Sequence, residues 1–479
     1  MRKKERSIPY KWKVMVVCAL GVLLSTMDLG MMRIALPPLG EAFEVGPDSV
    51  VWVQLVTFMV GAGIILSVGK AADMYGRKRV FSLSLLVMSI GLCVCSLSQN
   101  FGQLLASRFI LSIGLVISLA NGIAIVTAAF PSQERGKAIG IISAVASTGL
   151  LSGPAIAGIL IDTLGWRSIF YLRLPFSILA LLLAFFVLKK DPILEHKGRF
   201  DIAGAGLLFF AIPSLLFVLN RGQYLGWTSP AVLALSASGL VLLGLFIMVE
   251  RKVVHPILEI RMFSNRFFST ISGSHVLLYI STTAVDFTMP FYLIQSMSLT
   301  TAKAGLILIT IPAVTTIVSP LSGRLSDKWG TRLLCGIGLA LIALGMLLLI
   351  RLTINSTIFE ILIVLIVIGL GMALFVVPNT SAIMGAVSRE QLGTAAAMLN
   401  LLRQLGMSIG LVIAGSIFAT SSLSHSTELL SQGMVEEIAT KISITEGMHD
   451  AMLIALLITA IGFVISILRG RDMVHSSSS

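Results

Sequence analysis

Long apolar stretches of about 20 residues, nearly free of charge, follow one another along almost all of this 479-residue sequence. Each stretch must be helical if it crosses a bilayer, because a backbone surrounded by lipid has to satisfy its own hydrogen bonds. A β-barrel is excluded, since its strands would alternate apolar and polar residues. Only 12% of the residues are charged, too few to cover a water-soluble surface. The sequence therefore predicts an all-α polytopic membrane protein.

Fourteen transmembrane helices are predicted from these stretches. The region 420–449, between the last two helices, is rich in polar residues and is predicted to be a solvated external loop. The approximate limits of the helices are 14–36, 50–70, 80–98, 104–129, 137–161, 168–188, 202–220, 230–249, 270–296, 303–322, 333–350, 357–379, 393–419 and 450–468.

The distribution of basic residues predicts the orientation in the membrane. About 26 of the 35 Lys and Arg residues fall on the side of the basic N-terminus and about five on the other side, as the positive-inside rule requires of a cytoplasmic N-terminus. Both termini are therefore predicted to be cytoplasmic, in a bacterial inner membrane. The net charge of +12 then forms a cytoplasmic collar that faces anionic lipid, and no nucleic-acid partner is expected.

A short motif occurs twice and divides the chain. The pattern Gly-x-x-x-Asp-x-x-Gly with a following base begins at Gly69 after the second span and at Gly323 after the tenth. Spans 1–6 and 9–14 are therefore predicted to be equivalent six-helix bundles (residues 1–190 and 261–479), with two central helices inserted between them (191–260). Two halves related by a repeat are typical of transporters that rock around a site near the membrane midplane.

The repeated motif resembles the loop signature of the major facilitator superfamily. Its glycines permit a tight turn, and its Asp can sit near the N-terminus of a helix. In that family the motif latches the cytoplasmic side shut in the outward-facing state, so the resemblance implies this role for the corresponding residues. They are Gly69, Asp73, Gly76, Arg77 and Asp327.

A second pattern, in the fifth span, resembles the antiporter signature of the same family. It consists of Gly149, Gly153, Pro154 and Gly158. Small residues let helices approach closely and proline loosens the backbone, which suits a helix that seals one side of a cavity. Close packing alone also explains such a pattern. In the family the signature marks exporters, so the resemblance implies export.

Further motifs, in order and spacing, are similar to those of the fourteen-spanner drug/proton antiporter family over essentially the whole chain. The resemblance implies a proton-coupled exporter of amphiphilic small molecules that works as a monomer by alternating access, with protons as its coupling ion and no cofactor. Two departures stand out. Where the family usually carries Asn, this sequence has Arg33 in the first span and Arg173 at the start of the sixth. These bases favour an alternative, a specialised carrier of an anionic or zwitterionic substrate such as an organic acid, conjugate or lipid.

Ionisable residues inside membrane spans are costly and are therefore functional candidates. Asp28 and Asp286 occupy the first span of each bundle and are predicted to carry the coupling proton, with Arg33, Arg108 and Arg173 as substrate-binding or charge partners. A static ion pair that holds helices together is the alternative for each acid. Because Arg33 lies about 140° around the helix from Asp28, that acid can pair instead with Arg108 or Arg173.

The remaining candidate residues are predicted to have supporting or packing roles. Arg403 shares a helix face with Asn400, three residues away, which predicts a gating or supporting role for the two. The four cysteines lie inside apolar stretches and are predicted to pack. The sequence contains no metal-ligand spacing, no nucleophile with a base and no phosphate-binding loop, so neither an enzyme nor a metal site is expected. A passive channel would conduct without saturation and would tolerate the loss of both acids.

Overall fold

The computed structural model of the protein describes residues 9–189, 202–252, 260–388 and 391–468, which are almost entirely helical and contain no strand. The basic N-terminal residues and the predicted boundary at 190/191 lie outside these ranges. Fourteen long helices follow one another: α1 (Tyr10–Ala42), α2 (Trp52–Tyr75), α3 (Arg77–Ser96), α4 (Phe101–Ala129), α5 (Arg135–Leu164), α6 (Leu174–Val187), α7 (Ile202–Leu225), α8 (Pro230–Lys252), α9 (Arg266–Phe291), α10 (Thr301–Trp329), α11 (Thr331–Leu349), α12 (Ile358–Gly385), α13 (Leu392–Ser431) and α14 (Glu436–Leu468).

Length and hydropathy agree with a membrane protein that crosses the bilayer many times. In the described ranges, 13 helical segments are long and apolar enough to span a membrane, and α7 contains a shorter apolar segment, Gly206–Gly222. Each of the fourteen predicted spans coincides with one long helix. The predicted all-α polytopic fold is confirmed.

The predicted loop at 420–449 is wrong. α13 continues to Ser431 and α14 begins at Glu436, so only a short turn separates them. The 40 residues of α13 rise about 60 Å, roughly twice the apolar thickness of a bilayer, so the two helices form a hairpin that projects from the membrane. Close packing supports the hairpin, because the Cβ position of Gly447 lies 3.0 Å from the Phe418 carbonyl oxygen. The polar composition indicated solvent exposure correctly but did not exclude a helix.

The packing of the helices repeats between the two halves. In the first half, α1 packs on α5 and α6, α4 on α2 and α3, and α3 on α6. In the second half, α9 packs on α13 and α14, α12 on α10 and α11, and α11 on α14. Every one of these contacts in one half thus has its equivalent in the other. The inserted helices α7 and α8 pack on each other, and α7 also lies against α2 and α13.

The repeated motif forms the same turn in both halves. Gly76 joins α2 to α3 with φ of 91°, and Gly330 joins α10 to α11 with φ of 80°. Backbone of this left-handed kind strongly favours glycine, which explains why the motif places Gly at this offset twice.

The two bundles touch mainly on one side of the molecule. We call the side at which α1 begins the N-terminal face; the even number of crossings returns α14 to it. Direct contacts between bundles join α1 to α9, α2 to α13 and α5 to α10. Gly158 of α5 lies against the Thr301 backbone at the start of α10, and Gly415 of α13 lies against Val51. These contacts are in the half of the molecule away from the N-terminal face.

Candidate functional site

A cavity of about 640 Å³ lies between the bundles, in the half near the N-terminal face. It reaches Thr26 in the middle of α1, Asn121 towards the end of α4 and Asn400 near the start of α13. Most of its lining is Ala, Leu, Ile and Val, with a few polar side chains. Such a cavity, apolar with a small number of polar groups, suits an amphiphilic small molecule. The polar lining side chains are Thr26, Arg77, Asn121, Ser147, Asn400, Arg403 and Gln404.

An ion pair between the bundles lies beyond the blind end of the cavity. Arg33 of α1 places Nη1 2.9 Å from Oδ1 of Asp286 on α9. The two side chains keep 15% and 20% of their surface exposed. Nearer the opposite face, Gln295 Nε2 donates to Glu41 Oε1 over 3.2 Å. These two contacts join α1 to α9 between the cavity and the opposite face.

A second closure joins α5 to α10. Oδ1 of Asp162 accepts a hydrogen bond of 3.1 Å from the Thr301 backbone N–H, and Oδ2 accepts one of 2.8 Å from that of Ala302. These are the first N–H groups of α10, which lack partners within their own helix and form its positive end. Asp162 of the N-terminal bundle therefore binds the start of α10 in the C-terminal bundle, and we call this pair of hydrogen bonds the Asp162 clasp.

The glycines of the fifth-span motif serve two contacts. A methyl group on Gly153 would come within 2.8 Å of the Met27 carbonyl oxygen on α1, and Gly149 is also packed against α1. Gly158 and the Pro154 backbone instead meet α10 of the other bundle. The motif thus allows α5 to approach a helix of its own bundle and one of the partner bundle; its antiporter role stays a prediction.

Asp28 lies at the centre of a buried charge cluster inside the N-terminal bundle. Arg108 holds its carboxylate with both Nη atoms, at 2.9 and 3.1 Å, and neither side chain has any exposed surface. Arg173 adds a second ion pair of 2.8 Å. Arg108 Nη2 also donates to Thr57 Oγ1 over 2.7 Å. With Asp28 ionised, the cluster has a net charge of +1 and ties together α1, α2, α4 and the start of α6.

The two acids predicted to carry protons therefore differ in their surroundings. Asp28 is enclosed within one bundle by two arginines, whereas Asp286 is partly exposed and its one ion pair crosses between bundles. Arg33 pairs with Asp286 and not with Asp28, as its position on the helix allows. Both possible partners of Asp28 contact it.

The residues of the predicted cytoplasmic latch lie at the N-terminal face. Arg77 Nη1 donates to the Ala124 carbonyl over 3.4 Å, and Lys78 Nζ donates to backbone carbonyls at the end of α6. Asp327 is exposed, and Gly69 has no neighbour within 4 Å of its Cβ position. The side chain of Asp73 lies outside what the structure describes. The latch role stays a prediction.

Arg403 and Asn400 are joined by a hydrogen bond of 3.0 Å from Nη2 to Oδ1, and both line the cavity. No role at the site was predicted for their neighbours. Gln404 also lines the cavity, and a buried polar pair, His275 with Asn379 at 3.2 Å, lies on α9 and α12 behind Arg403. Amide side chains inside apolar spans were the available signal. Within the described ranges, no group of three or more His, Cys, Asp or Glu could hold a metal ion.

Comparison with known proteins gives consistent matches along the chain. A family model described as Major Facilitator Superfamily matches residues 18–410 and 271–476. The riboflavin transporter RibZ of Clostridioides difficile is 32% identical over 86% of this chain and 89% of its own. The multidrug resistance protein Stp of Mycobacterium tuberculosis is 30% identical over 85% of this chain and 75% of its own. A bacterial homologue of the human lysosomal transporter Spinster, solved inward-facing and unoccupied, superposes with a TM-score of 0.72 at 16% identity over 97% of each chain.

Proposed function

Because this chain belongs to the Major Facilitator Superfamily, we propose that it is a proton-coupled exporter of amphiphilic small molecules that works by alternating access. Its relatives are membrane transporters, so the predictions of a multi-pass transporter and of a protein that is not an enzyme are confirmed. The substrate class, the coupling ion and the direction of transport are proposed. The names of two relatives, for riboflavin transport and multidrug resistance, support small amphiphilic cargo.

The observation that carries the proposal is the cavity closed at one end by contacts between bundles. A rocking motion that separates Arg33 from Asp286 opens the blind end, and approach of the bundles at the N-terminal face closes the other. Cargo held near the midplane then exchanges access from one side to the other without a continuous pore. This gating distinguishes the proposal from a passive channel.

The distribution of charge supports an orientation in the membrane. The basic loops favour a cytoplasmic N-terminal face, so the cavity of this conformation loads from the cytoplasm. An inward-open cavity occurs in importers and exporters alike, so export is proposed from the resemblance of the fifth-span motif to the antiporter signature. The protein is proposed to lie in a bacterial inner membrane with both termini in the cytoplasm, and to act as a single chain.

Proton coupling is assigned to Asp286 in preference to Asp28. When the bundles separate on the opposite side, Asp286 loses contact with Arg33 and meets the outer solution, where it takes up a proton. When the bundles close again, Arg33 competes with that proton, which leaves through the cavity. Proton binding and conformation are thereby linked through one ion pair. Asp28 keeps its two arginines within a single bundle, which favours the static alternative for that acid.

The membrane arginines that suggested an anionic or zwitterionic substrate do not support that alternative. Arg33 and Arg173 suggested it, but each of them faces a carboxylate, as Arg108 does, and none of the three lines the cavity. Any recognition of negative charge must use other residues.

The test is transport in proteoliposomes with an acidic lumen, using a neutral fluorescent amphiphile and riboflavin. Wild-type protein inserted with its N-terminal face outward is expected to accumulate at least one probe against its gradient. Asp286→Asn is expected to lose the accumulation that depends on the pH gradient but to retain exchange down a gradient. A variant that still accumulates the probe fully would overturn the assignment of coupling to Asp286.

Asp48→Asn is the matched control. Asp48 also forms one ion pair of 2.9 Å, to Arg221, and its side chain keeps 18% of its surface exposed. That pair does not join the two bundles, so the control is expected to transport like wild type. If neither probe is carried by wild-type protein under any gradient, the proposed export of such amphiphiles is wrong.

A further inference from the structure

One membrane arginine differs from the others in its surroundings. Arg33, Arg108 and Arg173 each have an Asp within 2.9 Å. Among the described side chains, no carboxylate lies within ion-pair distance of Arg403, although it stands about 16 Å along α13 from the start of that helix. Arginine keeps its charge in proteins, so this cation is placed in the membrane without a protein counter-ion.

The known contacts of Arg403 are with neutral groups. Nη2 donates to Asn400 Oδ1, and the hydroxyl of Tyr279 on α9 faces the guanidinium. A guanidinium has five donors in a planar fork, so these contacts leave donors for a further partner. Because Arg403 lines the cavity, that partner can come from the cargo.

The neighbouring residue is also incompletely satisfied. Gln404 lines the same cavity and is 8% exposed, and its Oε1 is buried without a hydrogen-bond partner. Buried polar atoms are normally paired, and an amide oxygen accepts hydrogen bonds, so this unpaired acceptor on the cavity wall indicates a place for a hydroxyl or N–H group of a ligand. Arg403 therefore offers donors for a negatively charged group, and Gln404 offers an acceptor for a neighbouring donor group of the same ligand, within walls that are otherwise largely apolar.

From these contacts we infer that Arg403 is the specificity-determining residue that binds an anionic oxyacid group, such as a carboxylate, on an amphiphilic cargo. The inference rests on the proposed function and deepens it by naming the charge of the cargo. It assigns to Arg403 a direct role in place of the supporting role that its spacing from Asn400 suggested. Among the described cavity-lining side chains no carboxylate opposes this preference.

Binding in nanodiscs of zwitterionic lipid tests the inference, with a dansylated medium-chain carboxylic acid and its primary amide as probes. A charge-assisted hydrogen bond is about twice as strong as a neutral one, so wild-type protein is expected to bind the acid about tenfold more tightly or better. Arg403→Gln is expected to remove this preference while the affinity for the amide changes less than about twofold. Arg403→Lys keeps the charge without the fork and is expected to retain part of the preference.

The control is Arg351→Gln, which removes an exposed arginine far from the cavity and is expected to bind both probes like wild type. Equal affinity of wild-type protein for the acid and the amide would overturn the inference. So would an equal loss of both probes in Arg403→Gln together with normal binding in Arg403→Lys, because that result assigns the residue to packing.

Transport of the amide separates this inference from the proposed function. If the amide accumulates under a pH gradient and the acid has no advantage, export stands and the role of Arg403 is wrong. If the acid binds through Arg403 but no probe accumulates, the binding role stands and proton-coupled export is wrong.

Discussion

Asp28 and Asp286 lie on the first helix of their respective bundles, yet their neighbours differ. Asp28 has three oxygen-to-guanidinium contacts with Arg108 and a further ion pair with Arg173, all buried in one bundle. Asp286 pairs with Arg33 of the other bundle. The ion pairs of Asp28 connect helices of one bundle, whereas the ion pair of Asp286 would break if the two bundles separated at that side, as the proposed transport cycle requires.

Neutralising Asp28 is expected to destabilise the protein more than it alters coupling. Asp28→Asn leaves Arg108 and Arg173 buried without a counter-charge, and breaking a buried ion pair in this way costs about 3–5 kcal/mol. The midpoint of thermal denaturation in detergent is therefore expected to fall markedly. Asp286→Asn is expected to lower it less, because that side chain is partly exposed.

A second substitution separates stability from chemistry. Asp28→Asn combined with Arg173→Met removes one of the two orphaned charges and is expected to recover part of the lost stability. If Asp28→Asn instead denatures like wild type and abolishes only pH-driven accumulation, Asp28 carries the proton and the assignment to Asp286 is wrong.

Helix geometry predicted some of these pairings and left others open. The offset between Asp28 and Arg33 along α1 indicated correctly that they need not meet. Whether Asp28 pairs with Arg108, with Arg173 or with both depends on how four helices pack. The spacing of residues along the sequence does not give that information. The polar side chains around Arg403 were only partly predicted for the same reason. Gln404 and Tyr279 lie on different helices, and only the packing of α9 against α13 brings them together.

At the scale of whole helices, hydropathy predicted the membrane-spanning parts and failed beyond them. The extensions of α13 and α14 contain Ser, Thr, His and Glu, which a hydropathy pattern cannot distinguish from a loop. Pairing of the two helices decides their conformation, through contacts such as the hydrogen bond from the Ser421 hydroxyl to Asp450. Local composition therefore predicted where the chain leaves the bilayer, but not its structure there.

Close packing of α5 on α1 gives a prediction at this scale. In Gly153→Ala the new methyl group would lie within 2.8 Å of backbone atoms of α1, which cannot move aside as a side chain can. Overpacking of this kind typically costs about 1–3 kcal/mol, so thermal stability and transport rate are both expected to fall. Gly140→Ala, on the same helix but with no neighbour within 4 Å of its Cβ position, is the matched control. Equal behaviour of the two variants would show that this helix contact is loose.

For the molecule as a whole, the repeat predicted two equivalent bundles but not their relative position. The sequence motifs at Gly76 and Gly330 recur as the same turn, and the helix contacts recur with them. The choice of which side is open depends instead on a small difference in free energy between two arrangements of the same bundles. Contacts between the bundles can bias that choice, and Asp162 makes such a contact in this conformation.

Removing the Asp162 clasp is expected to shift the protein towards the conformation open at the opposite face. Asp162→Ala deprives the first two N–H groups of α10 of their acceptors, and loss of a helix cap costs about 0.5–2 kcal/mol, or roughly a 2- to 30-fold change in the ratio of the two conformations. Spin labels at exposed sites on α5 and α10, in a background without the four native cysteines, measure the separation of the bundles. Thr163→Ala is the control, since the Thr163 hydroxyl bonds only to the Ile159 carbonyl within α5. A distance distribution in Asp162→Ala that matches both wild type and the control would mean that the clasp does not bias the transport cycle and that Arg33 with Asp286 holds the opposite face shut without it.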